Sequence, residues 1–281
     1  MVEPSEPTAD AGTDWALSPS RALDFKTCAL LYRLRVIDRL PEPPSLDAAR
    51  GTVVHGILER LFDLPAAERT IEAANDLAAP QWQELLDLDE ELATLVADDE
   101  GGLDALIEST RELLASYFAL EDPRRLEPAE REALVETTLP SGVRLKGYVD
   151  RLDRAPDGRL RVVDYKTGRS PREEFEGKAL FQLRFYALVL WRSTGVLPTM
   201  LRLCYLSNRE TLDFRPDESD LLALERQLEA LGAAIAKARE TGDWRHKPSK
   251  LCDWCAFQSM CPAFGGTPPP LPVDGEVISL G

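Results

Sequence analysis

In "RVVDYKTG" (residues 161–168) an aspartate and a lysine, Asp164 and Lys166, interrupt a run otherwise suited to a buried strand. Side chains on a strand alternate, so these two point to one face while Val163 and Tyr165 point to the other. Ionised groups seldom approach a core unless they are paired or hold a metal. A second carboxylate, Asp150, lies in "GYVDR" on the preceding predicted strand. Neighbouring strands lie about 4.8 Å apart, so two carboxylates at matching depth can share one divalent cation. Such a cation lowers the pKa of a bound water and offsets developing charge, and an ammonium two residues on can orient the nucleophile or stabilise a pentavalent phosphorus. That chemistry is phosphodiester hydrolysis.

Three further residues could join this set. His55, one of two histidines, sits in a predicted helix over 48–62, beside Gly51 and Gly56, which allow close packing. As a third ligand it would favour Mn²⁺ somewhat over Mg²⁺. In "FQLRFYALVL", Gln182 and Tyr186 are four apart and share a helical face. A second constellation is Cys252, Cys255 and Cys261, spaced C-x2-C-x5-C, with Cys28 near the other end of the chain as a fourth thiolate. Four thiolates suit either a structural zinc or a [4Fe–4S] cluster. Cys204, within "LRLCYL", reads as a buried thiol, and Trp254 and Phe257 are placed to shield the cysteine site.

These residues need elements to position them. Ser18 as N-cap and Pro19 at the first position predict a helix running through "LSPSRALDFKTCALLYRLRVIDRL". Strands are expected at "ALVETTL", "VRLKGYVDRLD" and "RLRVVDYK", separated by the turn signals Pro140-Ser141-Gly142 and Pro156-Asp157-Gly158. A helix over about 174–193, strands at 199–206 and about 210–214, and a helix over about 217–240 follow. Without the N-terminal helix and the central insert, the order is α-β-β-β-α-β, a mixed α/β (α+β) core.

The chain has 281 residues and a net charge of −16. Residues 61–136 hold 21 acidic and 5 basic side chains, which accounts for the whole excess. An acidic helical insert is therefore expected at 63–130, to face away from a polyanionic substrate or to block its path. The flanks carry basic residues in the first helix (Arg21, Lys26, Arg33, Arg35, Arg39) and in "WRHKPSK" (244–250), where Trp244 is available for stacking on bases. No apolar run approaches the roughly 20 residues that cross a bilayer. The acidic start lacks a signal or transit pattern, so a cytoplasmic location and no membrane partner are expected. Residues 1–14 are expected to be disordered and 266–281 to form a flexible tail.

His55, "GYVD" with Asp150, "DYKTG" with Asp164 and Lys166, and "QLRFY" with Gln182 and Tyr186 together resemble the ordered motifs of the RecB-type nucleases of the PD-(D/E)XK superfamily. The AddB nuclease domain and the CRISPR-adaptation nucleases are of the same kind. The resemblance covers residues 15–265, read as one nuclease domain, and implies a restriction-endonuclease-like fold. It also implies a metal-dependent deoxyribonuclease, an exonuclease on DNA ends or single strands in repair or recombination, with a possible helicase partner. By resemblance, the Tyr165 carbonyl would join His55, Asp150 and Asp164 as a metal ligand, and Gln182 and Tyr186 would position substrate. The distant cysteine plus compact trio resembles the iron–sulfur members, which favours [4Fe–4S] over zinc, in a segment at 244–262. A non-catalytic iron–sulfur DNA-binding or scaffold subunit and a CRISPR-adaptation nuclease are the alternatives.

Overall fold

The computed structural model describes residues 15–171 and 177–272. The expected N-terminal disorder and most of the expected flexible tail lie outside them. A five-stranded sheet in the order β1-β2-β3-β4-β5 organises the fold. β1 (Pro128–Thr138), β2 (Arg144–Arg154) and β3 (Leu160–Lys166) form the expected antiparallel meander. Helix α8 (Gly177–Thr194) crosses over to β4 (Met200–Tyr205), which runs parallel to β3, and β5 (Glu210–Phe214) closes the sheet antiparallel. The long α9 (Glu218–Thr241) follows, started by the Asp217 carboxylate accepting from the Asp220 N–H and ended at Gly242, whose φ of 69° is left-handed.

The sheet has a core on each face. On one side Leu160, Val162 and Leu203 meet Leu183, Phe185 and Leu188 of α8 and Leu221 and Leu228 of α9. On the other, Val163, Tyr165, Cys204 and Leu206 are buried with the helices that precede β1. These are α3 (Leu46–Leu61), α4 (Ile71–Asp76), α5 (Ala78–Leu88), α6 (Glu90–Asp98) and α7 (Gly102–Leu120). The acidic insert thus contributes four helices and about half of the buried residues of a hydrophobic core. Its charge lies on the outward stripe of helices whose inward stripe, including Trp82, Leu114 and Tyr117, is fully buried.

Two expectations about the first helix change. Ser18 does cap it, its Oγ accepting from the Arg21 N–H at 3.2 Å, but α1 (Pro19–Thr27) stops at Cys28. There the backbone is extended (φ −160°, ψ 116°) before a single turn, α2 (Ala29–Tyr32), and a π-helical turn over Arg33–Ile37. The break turns Cys28 towards the C-terminal segment, which a continuous helix would not do. Two members of the expected basic face are neutralised. Arg33 is buried against Asp38 at 3.0 Å, and Arg35 lies between Asp24 at 2.8 Å and Glu42 at 2.6 Å. Trp244 is not free for stacking on bases, because it is buried against Tyr32 and Phe25. The start of the tail is docked, with the Arg33 guanidinium donating to the Pro269 carbonyl.

Candidate active site

The register of the strands builds the site. Pairing of β1 with β2 proceeds through Arg131↔Arg151 and Ala133↔Val149, which sets Glu132 opposite Asp150. Pairing of β2 with β3 ends at Arg151↔Val163, so the next step sets Asp150 opposite Asp164. Three carboxylates on adjacent strands therefore stand abreast at the point where both ladders are interrupted. Glu132 has a φ of 42°, a left-handed conformation that costs a non-glycine residue roughly 1–2 kcal/mol and takes it out of the ladder. Asp150 in turn uses its own Oδ2 to accept the Tyr165 N–H at 2.6 Å.

Tyr165 is held through both its side chain and its backbone. Its side chain, on the insert side, packs edge-on against Tyr117, and its hydroxyl accepts from Arg151 Nη1 at 2.5 Å. Arg151, 1% exposed, is itself gripped by both Glu121 oxygens at 2.7 and 3.0 Å and by Asp153 at 3.0 Å. This fixes the Tyr165 backbone, whose carbonyl meets His55 Nε2 at 2.9 Å. The other ring nitrogen of His55 faces Asp150 Oδ1 at 3.4 Å and Glu132 Oε1 at 4.0 Å. Burial alone would lower the His55 pKa, but the hydrogen bond and charge of Asp150, with Asp164 and Glu132 beyond, carry it above its ordinary value. The helix that carries His55 packs closely on α5 at the next residue, Gly56, where a Cβ would stand 3.2 Å from the Gln81 side chain.

Asp164 and Lys166 share the α8 face, as their alternation requires. Lys166 Nζ lies 2.6 Å from Asp164 Oδ2, and Gln182 Nε2 donates to Asp164 Oδ1 at 2.8 Å and to the Tyr186 hydroxyl at 3.2 Å. Asp164 is 2% exposed, and its pKa is raised, first by burial and then by the charge of Asp150, against the opposing pull of Lys166. Gly147 on β2 makes room for Tyr186, since a Cβ there would stand 2.6 Å from Tyr186 Cε1.

The structure therefore brings together His55, Asp150, Asp164, Tyr165, Lys166, Gln182 and Tyr186. It adds Glu132, which the sequence reading missed by starting the first strand at Ala133. Extending that strand by one residue and aligning it with β2 would have found it. Among the described residues, His55, Glu132 and Asp150 have donor atoms within 4.8 Å of one another. Two half-buried carboxylates and an imidazole make a fitting site for a hard or borderline divalent cation. Asp164, turned towards Lys166 and Gln182, stands just outside that set of three.

The four cysteines Cys28, Cys252, Cys255 and Cys261 line one small cavity of about 50 Å³, with Leu30, Leu34 and Phe257 around them. All are free thiols, and burial first, then the nearness of Cys252 and Cys28, raises the Cys255 pKa. Phe257 is 2% exposed and shields the cavity, whereas Trp254 is 80% exposed and does not. Cys204 is fully buried in β4 on the far side, as expected. No helix among the described residues is long and apolar enough to cross a membrane.

A mixed sheet with helices on both faces, its strands parted around carboxylates and a lysine, defines a nuclease fold. The PD-(D/E)XK nuclease superfamily model matches residues 16–262, and the chain belongs to that superfamily. Over 126 residues it is 29% identical to the Gene 69 protein of Mycobacterium phage L5, an alignment spanning 44% of this chain and 41% of that protein. Over 154 residues it is 27% identical to an ATP-dependent helicase/deoxyribonuclease polypeptide of Streptococcus agalactiae serotype Ia, spanning 54% of this chain but only 14% of that protein. In both cases the aligned stretch is less than half of the relative's length. A crystal structure from Eubacterium rectale, described provisionally as an exonuclease, shares the fold with a TM-score of 0.57 at 14% identity, covering 91% of this chain and 92% of its own.

Proposed function

We propose that the chain is a divalent-metal-dependent deoxyribonuclease that acts as an exonuclease on DNA ends or single strands, in repair or recombination. The observation that carries this reading is the register that sets Asp150 beside Asp164, with Lys166 2.6 Å from the latter, where the β2–β3 ladder has ended. A bound Mg²⁺ or Mn²⁺ would supply Lewis acidity and a water of lowered pKa. Asp150, Asp164, His55 and the Tyr165 carbonyl are the proposed ligands, and Glu132 joins them. Lys166 holds the attacking water or the scissile phosphate by charge, and Gln182 keeps Asp164 oriented while Tyr186 braces Gln182. A scaffold protein would have no use for this set, because burying two like charges side by side costs stability. The resemblance in sequence to part of a helicase/deoxyribonuclease polypeptide supports a helicase partner.

The test is incubation of purified protein with end-labelled single- and double-stranded DNA in Mn²⁺, Mg²⁺ or EDTA. Asp164→Ala and Lys166→Ala should each abolish cleavage, with metal affinity lost in the first and largely kept in the second. Robust cleavage by Asp164→Ala would sink the mechanism.

For the cysteines the reading is a [4Fe–4S] cluster that clamps the start of the chain to residues 250–262. A tetrahedral zinc needs its thiolates within about 4 Å of one another, from zinc–sulfur bonds of about 2.3 Å. The shared cavity and the break at Cys28 support a fourfold thiolate site, and among the described residues no three of these sulfurs lie within 4.8 Å of one another, wider than that zinc spacing. Anaerobically purified protein should be brown and hold about four irons per chain. Cys28→Ser should remove the colour, and a colourless protein with stoichiometric zinc would overturn the iron–sulfur assignment.

A further inference from the structure

A crevice of about 660 Å³ opens beyond the carboxyl ends of the parallel strands β3 and β4, and no part of the mechanism above uses it. Ligands of open α/β sheets bind at such strand ends. Thr167 follows the last residue of β3, and Ser207 and Arg209 lie in the turn after β4. Arg50 lines the crevice from α3, and Glu112 and Ser116 line it from α7. Two guanidiniums therefore share the space with one carboxylate, Glu112, which is exposed.

Both arginines keep donors to spare. Arg209 has a left-handed backbone, φ 56°, unfavourable for any residue but glycine. Its Nε donates to the Ser116 hydroxyl at 3.2 Å, and no carboxylate lies within ion-pair distance of it among the described residues. Arg50 Nη2 meets Asp47 at 2.6 Å, but Asp47 is 86% exposed, so the pair is weak. The buried Arg50 Nε has no acceptor among the described residues, which favours a guanidinium that turns to an incoming anion. The crevice also adjoins the reacting centre. Thr167 follows Lys166, and its hydroxyl lies against α3 at Gly51, where a Cβ would stand 3.6 Å from Thr167 Oγ1. Arg50 precedes His55 on the same helix by a rise of about 7.5 Å. That is the axial length of about two nucleotides.

We infer that this crevice is a subsite for a phosphomonoester, held by Arg50 and Arg209 with the Thr167 and Ser207 hydroxyls. A phosphomonoester has three strong acceptor oxygens and a charge near −2. A diester within a strand has only two free oxygens and one charge, and two guanidinium forks with two hydroxyls exceed what it can accept. The inference rests on the nuclease reading for the source of the group. That source is the phosphorylated end of the DNA being cut, seated about two nucleotides from the proposed metal ligands, or a nucleotide already released.

Calorimetric titration of inorganic phosphate into the protein in EDTA tests the subsite without turnover. Binding should saturate at one phosphate per chain. Arg50→Gln/Arg209→Gln should weaken it by roughly tenfold or more. Glu112→Gln should tighten it, and both changes should shrink as salt screens the charges. Steady-state cleavage in Mn²⁺ of one DNA sequence, with phosphorylated or with hydroxyl ends, then finds the source. A lower KM for the phosphorylated DNA, lost in the double variant at unchanged kcat on hydroxyl ends, identifies the DNA end. Equal KM values with competitive inhibition by deoxycytidine monophosphate, relieved in the double variant, identify the released nucleotide. Absence of both effects in a protein that cuts DNA would overturn the subsite, as would phosphate binding that is absent or that the double variant leaves unchanged. Phosphate binding with the expected signs in a protein that cuts no DNA would keep the subsite and remove the nuclease reading.

Discussion

Asp164 carries the clearest conflict between stability and chemistry in the molecule. It is buried, it faces Asp150, and its pKa is raised despite Lys166. A carboxyl whose folded pKa lies above its unfolded value is neutral and harmless at low pH. Its ionisation destabilises the fold progressively as pH rises from the unfolded to the folded pKa, and the penalty is constant above that. Asp164→Asn should therefore melt above the wild type at pH 8 without metal, by about 1–2 kcal/mol or a few degrees. The difference should shrink to nothing near pH 4. Mn²⁺ should raise the wild-type melting temperature at pH 8 and leave the variant nearly unmoved. Differential scanning fluorimetry across pH, with and without metal, checks both signs. At the same scale, Glu132→Gln should weaken metal binding with little loss of stability, read by titration calorimetry. Unchanged affinity would leave Glu132 as a strained bystander.

Among the elements, β2 and α8 must approach closely for Gln182 to reach Asp164. Gly147 permits this, because Tyr186 occupies the space a side chain would take. Gly147→Ala should displace the Tyr186 ring, loosen Gln182 and lower kcat by tenfold or more. Overpacking of this kind should also cost about 1–3 kcal/mol. A Tyr186→Phe variant separates the two effects, since it keeps the ring but removes the hydroxyl that accepts from Gln182. The other element-scale device is Arg151, which binds the Tyr165 hydroxyl from the opposite face. Arg151→Ala would strand Glu121 in the interior, and the expected loss is about 3–5 kcal/mol, measurable by urea denaturation.

For the whole molecule, the acidic insert decides whether one face of the sheet is covered. Its helices bury Val163 and Tyr165, the residues alternating with Asp164 and Lys166. Replacing residues 66–128 with a short linker would expose that face and remove Trp82, Leu114 and Tyr117 together, so the shortened chain should not fold. Trp82→Ala is the milder test. Trp82 is fully buried and donates through Nε1 to Thr110 Oγ1 at 3.0 Å. The expected cost is about 3–5 kcal/mol, with cleavage lost at the temperature where the insert melts. If the insert melted without loss of cleavage, it would be a separate unit.

Local patterns in the sequence determined a great deal. Period-two alternation and the two Pro-Gly turn signals located the meander to within a few residues, except at its start, where β1 begins at Pro128 and not at Ala133. The helices expected at 48–62, about 174–193 and about 217–240 correspond, within the described residues, to α3, α8 and α9, and alternation alone placed Asp164 and Lys166 on one face. Those features depend on neighbours in the chain, whose geometry is nearly invariant. The tertiary structure decided what depends on register and on partners distant in sequence. The positive φ of Glu132, the side-by-side row of Glu132, Asp150 and Asp164, the extended break at Cys28 and the burial of Trp244 all follow from which segments meet. The insert shows the same division. Its acidity was plain in composition, but its inward stripe acquired a role only from the sheet face it covers, because hydrophobic burial is set by the partner surface and not by the segment that supplies the side chains.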